Sequence, residues 1–314
     1  MNYCEYNGFF DGKTALVTGG AGFIGSHLTQ HLGALGCHVR VLDDFSTGHA
    51  TNIEGMDAEC LEGSILDVGV LQHVTRGCQF IFHLAAFVSV PQSILTPETC
   101  FNINVRGTEC VIEAAEHAGC NRVIFASSAA CYGSHPHLPS SEKDPVSLES
   151  PYAETKYAGE QLVASNKGMD GVSLRYFNVF GQRQDPSSQY AAVVCAFKES
   201  LEQNRLPVVF GDGSQTRDFT AVENVVHANL LAAFHPKPLR GVVLNVGTGT
   251  SMSLLALLDA MSGDDALAVS HEPEREGDVQ HSCADITEIV KTLAYSPVVS
   301  TRGALASLLN PTQQ

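Results

Sequence analysis

Residues 13–28, "KTALVTGGAGFIGSHL", constrain the fold more than any other stretch of the chain. They run from an apolar, strand-like pattern into clustered glycines and out into a helical pattern. Gly20, Gly22 and Gly25 fit G-x-G-x-x-G, and Gly19, Gly22 and Gly25 fit G-x-x-G-x-x-G equally well. Glycines also mark plain bulges and turns, so the spacing alone says little. The context says more. A strand that turns through glycine into a helix presents backbone N–H groups and a positive helix end to a pyrophosphate. Asp43 ends the next apolar run, 18 residues beyond Gly25. A carboxylate there can accept from adenosine ribose hydroxyls and repel a 2′-phosphate, which favours NAD over NADP.

Strand-like runs continue at 14–19, 38–43, 78–86, 122–128 and 172–178, with helical patterns at 24–35, 66–75, 104–119 and 152–167. Such alternation predicts an α/β fold with a doubly wound parallel sheet. After residue 178 the rhythm changes: "FGQRQDPSSQ" is polar and turn-rich, and helical patterns at 191–203 and 222–234 flank a short strand at 206–210. Residues 241–249 are again strand-like. The expected division is a Rossmann domain of 1–177 plus about 222–246, and a smaller mixed C-terminal lobe of 178–221 plus 247–314.

Composition excludes several function classes. A net charge of −16 with no Lys/Arg stripe argues against a nucleic-acid partner. The ten cysteines form no C-x-x-C pair, so neither a zinc site nor a redox dithiol is expected. No apolar run reaches membrane-spanning length, and "MNYCEYNGFF" lacks the basic and apolar regions of a signal peptide. These features lead us to expect a cytoplasmic protein with no metal and no membrane partner.

"SPYAETK" places Tyr152 and Lys156 four apart, on one face of a predicted helix. A phenol titrates near pH ~10, and a nearby ammonium favours its phenolate. Such a tyrosine can take a proton from a hydroxyl while hydride leaves the carbon. Alone, Y-x-x-x-K is common on protein surfaces; following a dinucleotide fingerprint, it becomes the leading catalytic candidate. Ser128 ends the strand in "FASSAACYG", where its hydroxyl can meet the reacting oxygen. The plain alternative is that Ser127 or Ser128 caps the strand end.

These residues carry a resemblance. "TGGAGFIGSHL", "VLDDFSTGHATNI", "FHLAAFVSVPQSI", "NINVRGT", "ASSAACYG", "SPYAETK", "LRYFNVFGQRQDP", "GDGSQTRDF" and "REGDVQHSCADI" stand in order over nearly the whole chain. The sequence resembles the extended short-chain dehydrogenase/reductases and, within them, the nucleotide-sugar 4-epimerases. The resemblance implies NAD held by Gly19, Gly22, Phe23, Ile24 and Gly25, by Asp43, Asp44, Ser46, Thr47 and Gly48, and by Ser64 and Ile65. It adds Leu84, Ala85, Ala86, Asn104, Tyr152, Lys156 and Phe177 to the cofactor set, Phe177 fitting core packing equally well. For a UDP-sugar it implies Ser89, Val90, Ser128, Ala129, Asn178, Ala191, Ala192, Val193, Arg217, Arg275, Asp278 and Ser282. Arg217 and Arg275 would fork the diphosphate oxygens.

Related dehydratases carry an acid pair after the serine, and related decarboxylases a Glu; here Ala129, Ala130 and Cys131 follow Ser128. Ser, Tyr and Lys without that acid suit reversible oxidation at C4: oxidise, reorient, reduce. Ser282 matches a gate position where a large Tyr restricts relatives to plain hexoses, so the resemblance implies UDP-N-acetylglucosamine and UDP-N-acetylgalactosamine, with UDP-glucose and UDP-galactose also accepted. Two departures concern the adenosine end. Ser64 replaces a frequent Asp, and Asp44 a frequent Asn. The family also implies a homodimer through helices near 97–118 and 152–167. The competing readings are an epimerase of UDP-glucose alone or of UDP-glucuronate, a net NAD-dependent oxidoreductase, and a non-catalytic dinucleotide sensor.

Overall fold

The computed structural model describes residue 6 and residues 8–134, 136–185, 193–263, 267–274 and 279–309. A seven-stranded, wholly parallel sheet organises them, built from β1 (Thr14–Thr18), β2 (His38–Asp43), β3 (Ala58–Glu62), β4 (Phe80–His83), β5 (Arg122–Ser128), β6 (Asp170–Tyr176) and, much later in the chain, β11 (Val242–Val246). Its order is β3-β2-β1-β4-β5-β6-β11. The chain winds outward from β1 in one direction and from β4 in the other. The carboxyl ends of β1 and β4 therefore open onto a crevice, the place where such sheets bind ligands.

The central strands are apolar runs buried along their length, such as "TALVT" and "FIFH", as a sheet covered on both faces requires. Leu28 and Leu32 of α1 (Phe23–Ala34) pack on one face, and Leu71 and Val74 of α2 (Val68–Val74) on the other. The chain then forms α3 (Val90–Leu95) and α4 (Pro97–Phe101). A five-residue π-helical turn, Asn102–Arg106, joins α4 to α5 (Gly107–Ala118), so helix begins well before residue 104. Next comes α6 (Pro151–Ser165), which starts cleanly because Ser150 accepts from the Ala153 N–H and Pro151 occupies the first turn.

The smaller lobe is made of short pieces: β7 (Val179–Phe180), α7 (Val193–Glu202), β8 (Val208–Phe210), β9 (Thr216–Arg217) and β10 (Thr220–Ala221). After α8 (Val222–Phe234) and β11 come β12 (Met252–Ser253), α9 (Leu254–Ser262), β13 (Ser270–Glu272), α10 (Thr287–Leu293) and α11 (Thr301–Leu309). β10 pairs with β7, β12 with β9 and β13 with β8. Phe180, Phe197, Val209, Leu257 and Leu305 belong to the core of this lobe.

Two features depart from the sequence reading. β3 was not expected because "AECLE" is mostly exposed at the sheet edge and carries no apolar run. α10 falls within 247–314, yet Ile289, Leu293 and Tyr295 sit in the core shared with α1, α8 and the sheet. A chain that returns to pack beside β11 cannot be assigned from its numbering. No helix among the described residues is long and apolar enough to cross a membrane.

One buried cation ties α8 to the sheet. Arg122 of β5 is 6% exposed. Its Nε donates to Asp170 Oδ2 at 2.6 Å, and its Nη atoms donate to the carbonyls of Ala232, His235 and Lys237. Burial alone would raise the Asp170 carboxyl, but the N–H groups of Arg240 and Leu239 and then Arg122 hold it below the ordinary carboxylate value. Its stabilising share is therefore present above the unfolded-state pKa and lost as the pH falls through the folded value. Arg122→Met would strand three carbonyls and one oxygen of the Asp170 carboxylate, and we expect a loss of about 3 kcal/mol in urea unfolding at neutral pH. A loss under about 1 kcal/mol would show that the anchor carries little.

Candidate active site

The glycine turn is shaped by contact rather than by flexibility. Gly19 has φ +70°, and a Cβ there would lie 2.7 Å from the Ala85 nitrogen. A Cβ on Gly25 would lie 2.0 Å from the Gly19 carbonyl oxygen, and one on Gly20 would lie 2.8 Å from the Val41 methyls. Both glycine spacings in the sequence are therefore filled by real packing constraints. Gly22 caps α1 without any side-chain bond, so the N–H groups of Phe23, Ile24 and Gly25 receive no capping side chain. That helix end suits an anion.

Asp43, 7% exposed at the end of β2, closes the turn. Its carboxylate accepts from the Ala21 N–H at 2.8 Å and the Phe45 N–H at 2.9 Å. Burial raises this carboxyl, and those two N–H groups pull the other way. Gly48 packs against it, since a Cβ there would meet Asp43 Oδ1 at 2.9 Å. Asp44 accepts from the Ser46 N–H and hydroxyl, and Thr47 is exposed. Ser64 Oγ accepts from the Leu66 N–H at 3.2 Å, and Ile65 is buried against Gly107. The uncapped helix end, the close-packed glycines and a carboxylate at the end of β2 fit a dinucleotide with a free 2′-hydroxyl.

Opposite lies the other wall. Leu84, Ala85 and Ala86 follow β4 and are half-buried. Ser89 caps α3 by accepting from the Gln92 N–H, and Val90 is that helix's first residue. Asn104 projects from the π-helical turn, 2% exposed. Its Oδ1 accepts from the Phe87 N–H at 2.7 Å, and its Nδ2 donates to Phe87 O at 3.1 Å and Thr155 Oγ1 at 3.0 Å.

Tyr152, Lys156 and Ser128 converge on this crevice. The Ser128 side chain acts on the Tyr152 phenol to lower its pKa, and its Oγ accepts from the Ala130 N–H at 3.1 Å, so it also caps the turn after the strand. Ser127 points the other way, to Glu160, as strand alternation demands. Lys156, 4% exposed, lies 5.9 Å from the Tyr152 ring centroid and donates to Ala126 O at 2.9 Å. Burial pulls its ammonium down to about 8. Burial also pushes the phenol up to about 12, with the Ser128 bond opposing. In the protein alone, then, desolvation governs the phenol, where the sequence reading expected a nearby ammonium to favour the phenolate.

The substrate candidates are partly assembled. Asn178 Nδ2 donates to Ser282 Oγ at 3.2 Å and to Asp218 O at 3.2 Å. Arg217 Nη1 donates to Thr216 O at 3.0 Å and Gln280 O at 3.2 Å, and the Ser282 N–H donates to Thr216 O. Asn178, Arg217 and Ser282 are thus brought together at one end of the crevice. Ala129 opens the turn after β5, and Val193 begins α7. Phe177, 1% exposed, packs with Tyr132 and Ala284. Ala191, Ala192, Arg275 and Asp278 lie outside the described residues. No group of three or more His, Cys, Asp or Glu among the described residues is placed to hold a metal ion.

Sequence reasoning missed the support beneath the site. Glu160, fully buried one turn beyond Lys156, takes two bonds of 2.8 Å from Arg175 of β6 and one from Ser127. The available signals were a Y-x-x-x-K-x-x-x-E spacing and an Arg inside the apolar strand "VSLRYF".

Residues 15–247 match the NAD dependent epimerase/dehydratase family. A UDP-glucose 4-epimerase of Mycolicibacterium smegmatis is 38% identical over 306 residues, 93% of this chain and 96% of that one. The UDP-N-acetylglucosamine 4-epimerase of Methanobrevibacter ruminantium, solved with UDP-N-acetylmuramic acid, superposes with TM-score 0.90 at 33% identity over 97% of this chain and 100% of that one. The NAD complex of a Thermus thermophilus UDP-glucose 4-epimerase gives TM-score 0.82 at 31% identity over 93% and 96%.

Two outcomes are expected. Gly25→Ala has no room beside the Gly19 carbonyl, and NAD carried through gel filtration should fall at least tenfold (about 1.4 kcal/mol); full retention would contradict the packing argument. The turnover number should decline above a pH of about 8 as Lys156 loses its proton. A profile flat to the alkaline limit of the assay would show that this charge is not needed.

Proposed function

The chain belongs to the NAD dependent epimerase/dehydratase family, and we propose that it interconverts the C4 epimers of a UDP-hexose, with UDP-N-acetylglucosamine and UDP-N-acetylgalactosamine as the principal pair. The observation that carries the reading is the convergence of Ser128, Tyr152 and Lys156 with no acid at Ala129, Ala130 or Cys131. Such a site can move a proton at an alcohol oxygen but has no group to expel water.

NAD, when bound, accepts hydride from the sugar C4, returns it, and brings a positive ring that favours a nearby phenolate. The protein's part is proton movement and orientation. Tyr152 removes the proton of the 4-hydroxyl, and Ser128, bonded to the phenol, holds the reacting oxygen and passes the proton between the two. The Lys156 ammonium, fixed by Ala126 O, supports the phenolate and reaches toward the cofactor ribose. Asn178 and Arg217 hold the diphosphate end while the keto sugar turns its other face, and the Tyr152 proton is then given back.

Ser282 supports the substrate choice, because its side chain is small and stands beside Asn178, where a larger one would close over the sugar. The second reading, the UDP-glucose and UDP-galactose pair alone, is favoured by the 38% identity to a UDP-glucose 4-epimerase. We also propose that the protein works in the cytoplasm as a homodimer joined through the helices near 97–118 and 152–167. The exposed side chains of Ile94, Leu95 and Phe101 beside these helices support that pairing.

The test is incubation with each UDP-sugar without added cofactor, followed by the anomeric proton signal in NMR. Tyr152→Phe should slow interconversion by about three orders of magnitude while NAD stays bound; near-normal turnover would remove Tyr152 as the base. Ser282→Tyr should abolish turnover of the N-acetyl pair and spare the plain pair. Equal loss on both would leave Ser282 as packing only.

A further inference from the structure

His83 ends β4 with its imidazole 1% exposed, and nothing in the proposed proton path uses it. Both ring nitrogens are engaged. Nδ1 lies 2.8 Å from Thr18 Oγ1 on β1, and Nε2 lies 3.0 Å from Thr108 Oγ1 on α5. The neighbouring bonds decide which nitrogen carries the proton. The Thr108 hydroxyl directs its single hydrogen to the Asn104 carbonyl, 2.6 Å away, so toward His83 it accepts. Thr18 Oγ1 accepts from the Ala85 N–H at 3.2 Å, and its own hydrogen is directed to Nδ1. A neutral imidazole protonated on Nε2 satisfies every partner. The opposite tautomer would take the Thr108 hydrogen from the Asn104 carbonyl.

The bonds therefore run in one sense: Ala85 N–H to Thr18, Thr18 to His83, His83 to Thr108, and Thr108 to the Asn104 backbone. The Asn104 amide then clasps the Phe87 backbone on both sides and donates to Thr155 Oγ1. Thr155 donates to Tyr152 O at 3.0 Å. We propose that His83, as a neutral Nε2–H imidazole, is a positioning residue that locks the 84–88 wall of the dinucleotide site to the helix carrying Tyr152 and Lys156. The inference rests on the reading that this crevice holds NAD.

The surroundings agree. Thr18 faces the ring from β1, Thr108 from α5, the Phe125 ring from β5 with centroids 5.7 Å apart, and the Lys156 ammonium acts on it from α6. Burial, then Lys156, drives the imidazole down to about 3, so it stays neutral wherever the enzyme works. A charged His83 would lose the acceptor that Thr18 needs and would oppose the ammonium beside Tyr152.

Thr18 and Thr108 bond opposite sides of the ring, which makes a double-mutant cycle informative. In Thr18→Val and Thr108→Val, NAD retained after gel filtration and the turnover number should each fall about tenfold, with KM for the UDP-sugar unchanged. The double variant should be no worse than about twofold below the weaker single. Effects that multiply would mean two independent structural contacts and would overturn the proposal. Nitrogen-15 NMR of the histidine ring in the NAD-loaded protein gives a second measurement that needs no variant. It should show a protonated Nε2 and a bare Nδ1 from pH 5 to 9; an imidazolium or the Nδ1–H form there would also overturn it. Tyr152→Phe, assayed alongside, reports on the parent reading. Its retained activity would sink that reading and leave the coupling result standing.

Discussion

The approach of Gly25 to the Gly19 carbonyl is the contact on which the rest of the site depends. A Cβ at Gly25 would sit 2.0 Å from that oxygen, so α1 can begin where it does only because the side chain is missing. The closeness sets the uncapped end of α1 over the edge of β1 and leaves its first N–H groups turned to the crevice. Gly19 does the same for the opposite wall, touching Ala85 across the switch between β1 and β4. Two absent methyl groups thus allow the close packing of the glycine turn against β1 and the chain after β4, and the sheet order decides its location.

The catalytic helix faces the opposite problem, too much charge in too dry a place. Lys156 and Glu160 are both buried on α6, and Arg175 reaches Glu160 from β6. Burial works against each charged form. The arrangement survives because partners are supplied: Lys156 has the Ala126 carbonyl, and Glu160 has two arms of Arg175 and the Ser127 hydroxyl. Desolvation alone would lower Arg175, and the Glu160 bonds hold it above its ordinary value. Replacing such a pair with apolar residues often costs little, whereas removing one member strands the other. Its presence here has a positional logic. Ser127 is bonded to Glu160, so Ser128, the next residue, is held toward Tyr152 from below as well as from its own turn.

Much of this was legible in the residues, for a physical reason. The glycine turn, Asp43 and the Tyr152 and Lys156 pair are short-range patterns whose geometry is local, and the buried strands are apolar along their length. What escaped was set by distant neighbours. β3 is an exposed edge, so its five residues carry no apolar signature. Pro91 and Pro97 each occupy a helix's first turn, where proline is accepted. Glu160 gains its partner Arg175 only when β6 is brought against the helix. α10 escaped because the apolar face it covers is built from α8 and β11, more than forty residues earlier in the numbering.

The smaller lobe is built on a different principle from the parallel sheet. Its strands are pairs of two or three residues, too short to fix geometry by ladder bonds. A single buried carboxylate does much of that work. Asp218, with no exposed surface, accepts from the Thr248 N–H and hydroxyl, the Gly249 N–H and the Ala284 N–H. Burial raises its carboxyl, and these donors act against the rise. Its own carbonyl takes the Asn178 amide, and it follows Arg217 directly in the chain. Asn178, Arg217 and Ser282 are therefore tied to one residue, whose carbonyl takes Asn178 and whose side chain reaches two separate segments, 248–249 and Ala284. The cofactor side is fixed by a long parallel sheet and by glycines that admit no side chain. The smaller lobe rests instead on few strands and one carboxylate, and that is where Ser282 stands.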